Sequence, residues 1–167
     1  MSVDEHHRTA PVHLACFVLT VSDTRTAEND RSGQAIMDLL GEDGHIVCAR
    51  AIVPDEPGEV TARVRLVLEA GEADVMIITG GTGIAQRDTT FEAVAGLFER
   101  EMPGFGELFR MLSFEEIGAA AMLSRAAAGI VGRRVLFLLP GSEHGVRLAM
   151  SRLILPELGH IVRELRR

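Results

Sequence analysis

Apolar residues along this chain follow two alternating rhythms. The run Leu14-Ala15-Cys16-Phe17-Val18-Leu19-Thr20-Val21 is continuous and bounded by polar residues, which predicts a parallel strand covered on both faces. From residue 30 to 40 the spacing changes. Ala35, Ile36, Leu39 and Leu40 share one helical face, and Gly41 and Gly44 are the expected stop. Residues 45–53 are short and β-branched, a second strand. Pro54-Asp55-Glu56-Pro57-Gly58 is a loop into a helix with Val60, Val64, Val67 and Leu68 inward and Gly71 at its end. Residues 74–79 are the third strand. Thr89 and Glu92 have the spacing of a capping box, followed by a helix with Ala93, Val94, Leu97 and Phe98 on one side.

The second half is less regular. Pro103-Gly104-Phe105-Gly106 interrupts, and helical stretches follow at residues 107–112 and 114–122. Residues 126–131 and 135–139 predict two strands joined at Gly132-Arg133, a hairpin. Pro140-Gly141-Ser142 is a tight loop. A helix over 143–155 places Val146, Ala149, Met150, Leu153 and Ile154 inward, and Pro156 can start the last helix. Strand and helix alternate three times in the first hundred residues, the pattern of βαβ units. The fold class is therefore α/β: three layers, a mostly parallel sheet with helices on both faces, and one antiparallel hairpin near the C-terminal half. Residues 1–11 are polar and read as a flexible tail. Residues 12–167 make one domain, with no repeat or linker to divide it.

Composition narrows the partners. The core must be aliphatic, because there is no Trp or Tyr and only 7 Phe. A net charge of −7 excludes a nucleic-acid binder with a broad basic face. No apolar segment reaches the roughly 18 residues a spanning helix needs, so no membrane partner is expected. The polar start carries no apolar signal region, which makes the cytoplasm the expected location. Cys16 and Cys48 lie in apolar runs and are expected to be buried, reduced thiols. His6-His7 lack the spacing of a metal site.

Candidate chemistry follows from the order of elements. In such a fold ligands bind beyond the carboxyl ends of the strands. Four loops qualify: Thr20-Val21-Ser22-Asp23, Pro54-Asp55-Glu56, residues 79–88, and Pro140-Gly141-Ser142. The third carries Gly80, Gly81, Thr82 and Gly83, then Arg87-Asp88. Glycines there let backbone N–H groups approach an anion. The turn is not a Walker loop, since Ile84-Ala85 stand where Lys-Ser/Thr is needed. Nor is it a dinucleotide fingerprint, since Gln86 holds the last position. Asp55 and Asp88, paired across a cleft, are the candidate catalytic and Mg²⁺-holding carboxylates for phosphoryl or nucleotidyl transfer. Thr20, Ser22, Ser113, Ser124, Gly141 and Ser142 are candidate polar contacts to a ligand. No Gly-x-Ser-x-Gly elbow marks a serine nucleophile.

These residues carry a resemblance. Leu19-Thr20-Val21-Ser22-Asp23, Asp30-Arg31-Ser32-Gly33, Val53-Pro54-Asp55-Glu56, Thr79-Gly80-Gly81-Thr82-Gly83 with Arg87-Asp88, Pro103-Gly104-Phe105-Gly106-Glu107, Leu123-Ser124-Arg125-Ala126 and Leu139-Pro140-Gly141-Ser142 resemble the MoaB/MogA family of molybdenum cofactor biosynthesis proteins. The stretch from Phe109 through Gly118 leans toward the MoaB branch. The resemblance implies a molybdopterin-binding domain. It implies an adenylyltransferase: AMP passes from ATP to the terminal phosphate of molybdopterin in a Mg²⁺-dependent step, giving adenylyl-molybdopterin and pyrophosphate. Asp55 and Asp88 match the family's essential acids. Gly80, Gly81, Thr82 and Gly83 match its phosphate-contacting turn, and Thr20, Ser22, Ser113 and Ser124 its pocket. Some MoaB-branch proteins lack the acid that stands here as Asp55. The resemblance further implies a homo-oligomer, a hexamer of two trimers first and a trimer next, with other molybdenum cofactor synthesis proteins as partners. Two alternatives stand beside it: a non-catalytic molybdopterin carrier or scaffold, and a CinA-like domain with another nucleotide substrate.

Overall fold

The computed structural model describes residues 13–167; the tail expected over residues 1–11, with His6-His7, lies outside the described residues. The chain forms β1 (Ala15–Val21), α1 (Arg31–Glu42), β2 (Ile46–Val53), α2 (Pro57–Ala70), β3 (Val75–Thr79), α3 (Thr90–Ala95), β4 (Arg100–Glu101), α4 (Pro103–Ile117), a 3₁₀ turn (Gly118–Leu123), β5 (Ala127–Val131), β6 (Arg134–Leu139), α5 (Glu143–Ala149) and α6 (Leu155–Arg166), with a π-turn (Met150–Ile154) joining the last two. The six strands lie in the order β2-β1-β3-β6-β5-β4. β2, β1, β3 and β6 run parallel. β5 is antiparallel to both β6 and β4. The expected α/β sheet and its hairpin are present.

Alternation along β1 builds two cores at once. Cys16 and Val18 face one side with Ile36, Leu40, Phe109, Phe137, Val146 and Leu158. Phe17, Leu19 and Val21 face the other with Val60, Val64, Met76, Ile78 and Val94. Burial on both faces is what a continuous apolar run encodes, and it makes the register costly to slip. β2 is the edge strand. Its outer positions are exposed, so Cys48 is solvent-facing while Cys16 is buried; the expectation of two buried thiols is corrected for Cys48. Burial pushes the Cys16 thiol up to about 12, with the nearby Cys48 and Asp74 adding to it, so Cys16 is inert as a nucleophile at neutral pH.

Several local expectations are corrected. α1 continues through Gly41 and turns at Gly44, where φ is +85°. Pro103 does not interrupt a helix. It starts α4, where its missing N–H and fixed φ are harmless, and α4 runs unbroken through Phe114 to Ile117. Thr89 and Glu92 form no capping box: Thr89 makes no side-chain cap bond, and its hydroxyl goes to Asp55 instead. Pro156 does stand in the first turn of the last helix, as expected, with a π-turn leading into it. β4, two residues long, has no sequence signal.

Candidate functional site

The strand order places a switch point between β1 and β3. The chain leaves β1 toward β2 on one side and returns to β3 on the other, so the connections diverge and open a crevice at the carboxyl ends. A cleft of about 300 Å³ occupies that position. It is lined by Thr20, Ser22, Asp30, Ser32, Asp55, Thr79, Gly80, Gly81, Asp88 and Gly141, among others. The loops after β1, β2, β3 and β6 thus contribute to one rim, as the sequence pattern predicts.

The glycine turn fits only as glycine. Gly80 has φ +99°, and a Cβ there would lie 2.2 Å from the Val21 carbonyl oxygen. Gly81 has φ +66°, and a Cβ there would lie 2.1 Å from Thr90 Oγ1 and 2.6 Å from Asp55 Oδ2. Both conformations are strained for an L side chain. The Gly80 N–H is bonded to the Leu139 carbonyl at 3.1 Å. The amides of Gly81, Thr82 and Gly83 donate to no acceptor among the described residues, which leaves them available to an anion.

The two aspartates are anchored on one oxygen each. Asp55, buried, accepts at Oδ1 from the Thr89 N–H (3.3 Å) and the Thr89 hydroxyl (2.9 Å). Its Oδ2 points toward Gly81, beside the Thr90 hydroxyl, which is buried and has no hydrogen-bond partner. Asp88 Oδ2 accepts from the Ala85 N–H at 2.9 Å and lies against Gly83. Both carboxylates therefore line the same cleft with one oxygen uncommitted. Among the described residues no group of three or more His, Cys, Asp or Glu side chains is placed to hold a metal ion. The orphaned Thr90 hydroxyl and two carboxylates fit Mg²⁺, which commonly uses one or two protein carboxylates and completes its shell with water and phosphate oxygens.

A polar frame holds the rim. Arg87 forks onto Asp23 at 2.8 and 3.0 Å and reaches Glu56 at 2.7 Å. It thereby ties together the loops after β1, β2 and β3, so its guanidinium is already occupied by protein carboxylates. That pairing holds Asp23 below the usual carboxylate range, helped by the Asp55 N–H. Deeper, Asp30 caps α1. Its Oδ1 accepts from the Gly33 N–H at 2.9 Å, and its Oδ2 from Thr20 Oγ1 at 2.6 Å and Arg50 at 2.7 Å. Burial works to raise the Asp30 pKa, but the Thr20, Gly33 and Arg50 donors outweigh it and leave Asp30 below the ordinary range.

Not every expected contact lies in this cleft. Thr82 is buried under the turn, its hydroxyl 3.5 Å from the Leu139 carbonyl. Gly83 packs on Asp88. Ser113, Ser124 and Ser142 line a second cavity of about 160 Å³, with Phe109, Ile117, Ala121, His144 and Leu148. Ser142 is also the N-cap of α5, accepting from the Gly145 N–H. The two cavities meet at the loop of residues 140–142, which gives Gly141 to the first and Pro140 and Ser142 to the second.

The structure gives site roles to residues that the matching stretches contain but the sequence pattern leaves without one. Asp30 and Ser32 stand at a helix start, where a capping role explains them. Thr79 reads as the end of a strand. Arg125 stands in the matching stretch 123–126 without a role assigned there; its Nε bonds the Gly83 carbonyl (2.9 Å), its Nη2 bonds the Asp88 carbonyl (2.8 Å), and its Nη1 pairs with Glu92. Its guanidinium also lies 5.3 Å from the Phe91 ring centroid.

Comparison with known proteins accords with this geometry. The family described as "Probable molybdopterin binding domain" matches residues 17–160. Molybdenum cofactor biosynthesis protein B of Bacillus cereus is 52% identical over 168 residues, covering 100% of this chain and 99% of the relative. Its namesake in Bacillus subtilis strain 168 is 49% identical over 168 residues, covering 100% and 99%. A crystal structure of a molybdenum cofactor biosynthesis protein B has a TM-score of 0.91 at 51% identity, covering 95% of this chain and 99% of that one. The tungsten cofactor synthesizing protein MoaB from Pyrococcus furiosus has a TM-score of 0.83 at 40% identity, covering 95% and 100%.

Proposed function

The chain belongs to the molybdopterin-binding family of molybdenum cofactor biosynthesis proteins, in its MoaB branch, and from that premise we propose that it transfers AMP from ATP to the terminal phosphate of molybdopterin. One observation carries the proposal: Asp55 and Asp88, 33 positions apart by their numbering, line one cleft with the glycine turn between them. A non-catalytic pterin site has no need of two carboxylates beside an anion cradle, where they repel the phosphate unless a cation intervenes.

In this reading an oxygen of the molybdopterin phosphate forms a bond to the α-phosphorus of ATP, the bond from that phosphorus to the β-phosphate oxygen breaks, and pyrophosphate leaves. The free oxygens of Asp55 and Asp88 would hold Mg²⁺, which when bound neutralises charge that develops on the phosphates. The chain's own residues supply position. Thr89 fixes the rotation of the Asp55 carboxylate, and the Ala85 N–H fixes that of Asp88. The Gly81 amide, in the cleft and without an acceptor among the described residues, would bind a phosphate oxygen at little reorganisation cost.

The test is turnover of purified protein with molybdopterin and Mg-ATP, read as pyrophosphate release and as adenylylated product. Asp55→Ala and Asp88→Ala should each lower turnover at least about 100-fold, the scale of removing one electrostatic stabiliser from a transition state. Either variant keeping wild-type turnover would refute the cation-holding role. A second reading, a molybdopterin carrier, is favoured by the family description, which names binding alone. Calorimetry with Mg-ATP separates the two, because a carrier has no use for ATP.

A further inference from the structure

We propose that the cleft orients its ligand by hydrogen-bond polarity: Thr20 and Ser32 form an acceptor-only floor for N–H or O–H groups of the bound molecule, in the same cleft as the Gly81 amide that takes its phosphate. The inference rests on reading the cleft as the nucleotide and pterin site and adds which hydrogen bonds that site can make. A hydroxyl has one proton and two lone pairs. Thr20 Oγ1 commits its proton to Asp30 Oδ2 at 2.6 Å. Ser32 Oγ commits its proton to the Gly141 carbonyl at 2.7 Å. Thr79 Oγ1 likewise donates to the Pro140 carbonyl at 2.8 Å, but Thr79 is fully buried and offers nothing to a ligand. A carbonyl oxygen cannot donate. Nor can an ionised carboxylate, and Asp30 is held ionised by three donors. The direction of the Thr20 and Ser32 bonds is therefore forced, and only their lone pairs remain for a ligand.

The Thr20 and Ser32 hydroxyls come from two separate segments, the end of β1 and the first turn of α1, and both residues line the same cleft. Ser22 is the opposite case. Its Oγ accepts from the N–H groups of Thr24 (3.2 Å) and Arg25 (3.1 Å), so its proton stays free. With the Gly81 amide, which has no acceptor among the described residues, it gives the cleft donors beside its acceptors. A bare phosphate satisfies only the first. A phosphorylated molecule that also carries donors satisfies both, and two sources have that chemistry: the ribose hydroxyls of a nucleotide, and the N–H and amino edge of a pterin. Reversing the ligand would put acceptor against acceptor at the floor, which costs a desolvated, unmade bond.

Calorimetry on the full chain tests this with two probe pairs. One pair is Mg-ATP and its 2′,3′-dideoxy analogue; the other is 6-hydroxymethylpterin phosphate and its 2-deamino analogue. Each is titrated into wild type, Thr20→Val and Ser32→Ala. Deleting the donor that meets the floor should weaken binding to wild type about 10-fold, and to the variant lacking its acceptor less than about 2-fold, the non-additivity of two halves of one contact. The pair that shows it identifies the source. If both deletions weaken variants and wild type alike, or weaken neither, the polarity assignment is overturned while the binding site stands. If wild type binds neither parent probe, the functional reading falls and this inference with it. Ser32→Ala leaves only one carbonyl unpaired, so it carries the test should Thr20→Val fail to fold.

Discussion

Asp30 shows how one side chain couples stability to the floor of the cleft. It is 3% exposed and satisfies Thr20, Gly33 and Arg50 together. Replacing it with Ala leaves a buried hydroxyl and a largely buried guanidinium without their acceptor, and should cost about 3 kcal/mol of folding stability. The pH dependence follows from the sign of its shift. Its folded-state pKa lies below the unfolded value, so the unfolded chain takes up the proton first as acid is added. The stabilisation is whole at neutral pH, shrinks once pH falls below about 4, and vanishes below the folded-state value. Urea unfolding of wild type and Asp30→Asn from pH 7 to pH 3 should therefore show a gap that closes in acid. A gap that widens in acid would contradict the ionised capping role.

At the scale of elements, the loop of residues 82–88 depends on a side chain that is not part of it. Arg125, just before β5, bonds the carbonyls of Gly83 and Asp88 with its side chain and that of Thr82 with its N–H, while its guanidinium packs over Phe91 of α3. A lysine cannot reproduce that fork. Arg125→Lys should speed hydrogen exchange at the amides of residues 83–88 and lower turnover by up to about 30-fold, with far-UV circular dichroism unchanged; two lost hydrogen bonds of about 1 kcal/mol each set that scale. Unchanged exchange would show that the loop holds itself. The same contacts explain what was legible in the sequence. The βα units were readable because the run 14–21 and the helical spacing of Ala35, Ile36 and Leu40 are local signals, and these give the order of strands and helices along the chain. The rim followed from that order. The Thr89–Glu92 pair was misleading because both side chains have distant partners, Asp55 and Arg125, which outcompete a local cap. β4 was unreadable because Arg100 and Glu101 pair with β5 through backbone alone. The split of Ser113, Ser124 and Ser142 into a second cavity was invisible because it depends on how α4 packs against α5 and the 140–142 loop, a tertiary fact with no period.

At the scale of the molecule, α4 and the 3₁₀ turn after it leave an apolar surface that the fold does not cover. Phe114 is 61% exposed and Met122 74%, with Leu108, Met111, Ile117 and Leu123 also open to solvent. The inward residues of the same helix, Phe105, Phe109 and Leu112, are buried in the core, so half of α4 is packed and half is not. A contiguous patch of this kind on a chain carrying a net charge of −7 marks an association surface, because electrostatic repulsion between copies must be outweighed by apolar burial. Association of copies of this chain through that face is the expected outcome, with six protomers the favoured assembly and three the next. Light scattering at micromolar concentration should give a mass several times the 18.1 kDa of one chain. Phe114→Glu, a charge in the middle of the patch, should shift the mass toward the monomer while leaving the folded core intact, because Phe114 contributes nothing to it. A wild-type chain that scatters as a monomer would mean that the exposed face of α4 is covered by something other than its own copies.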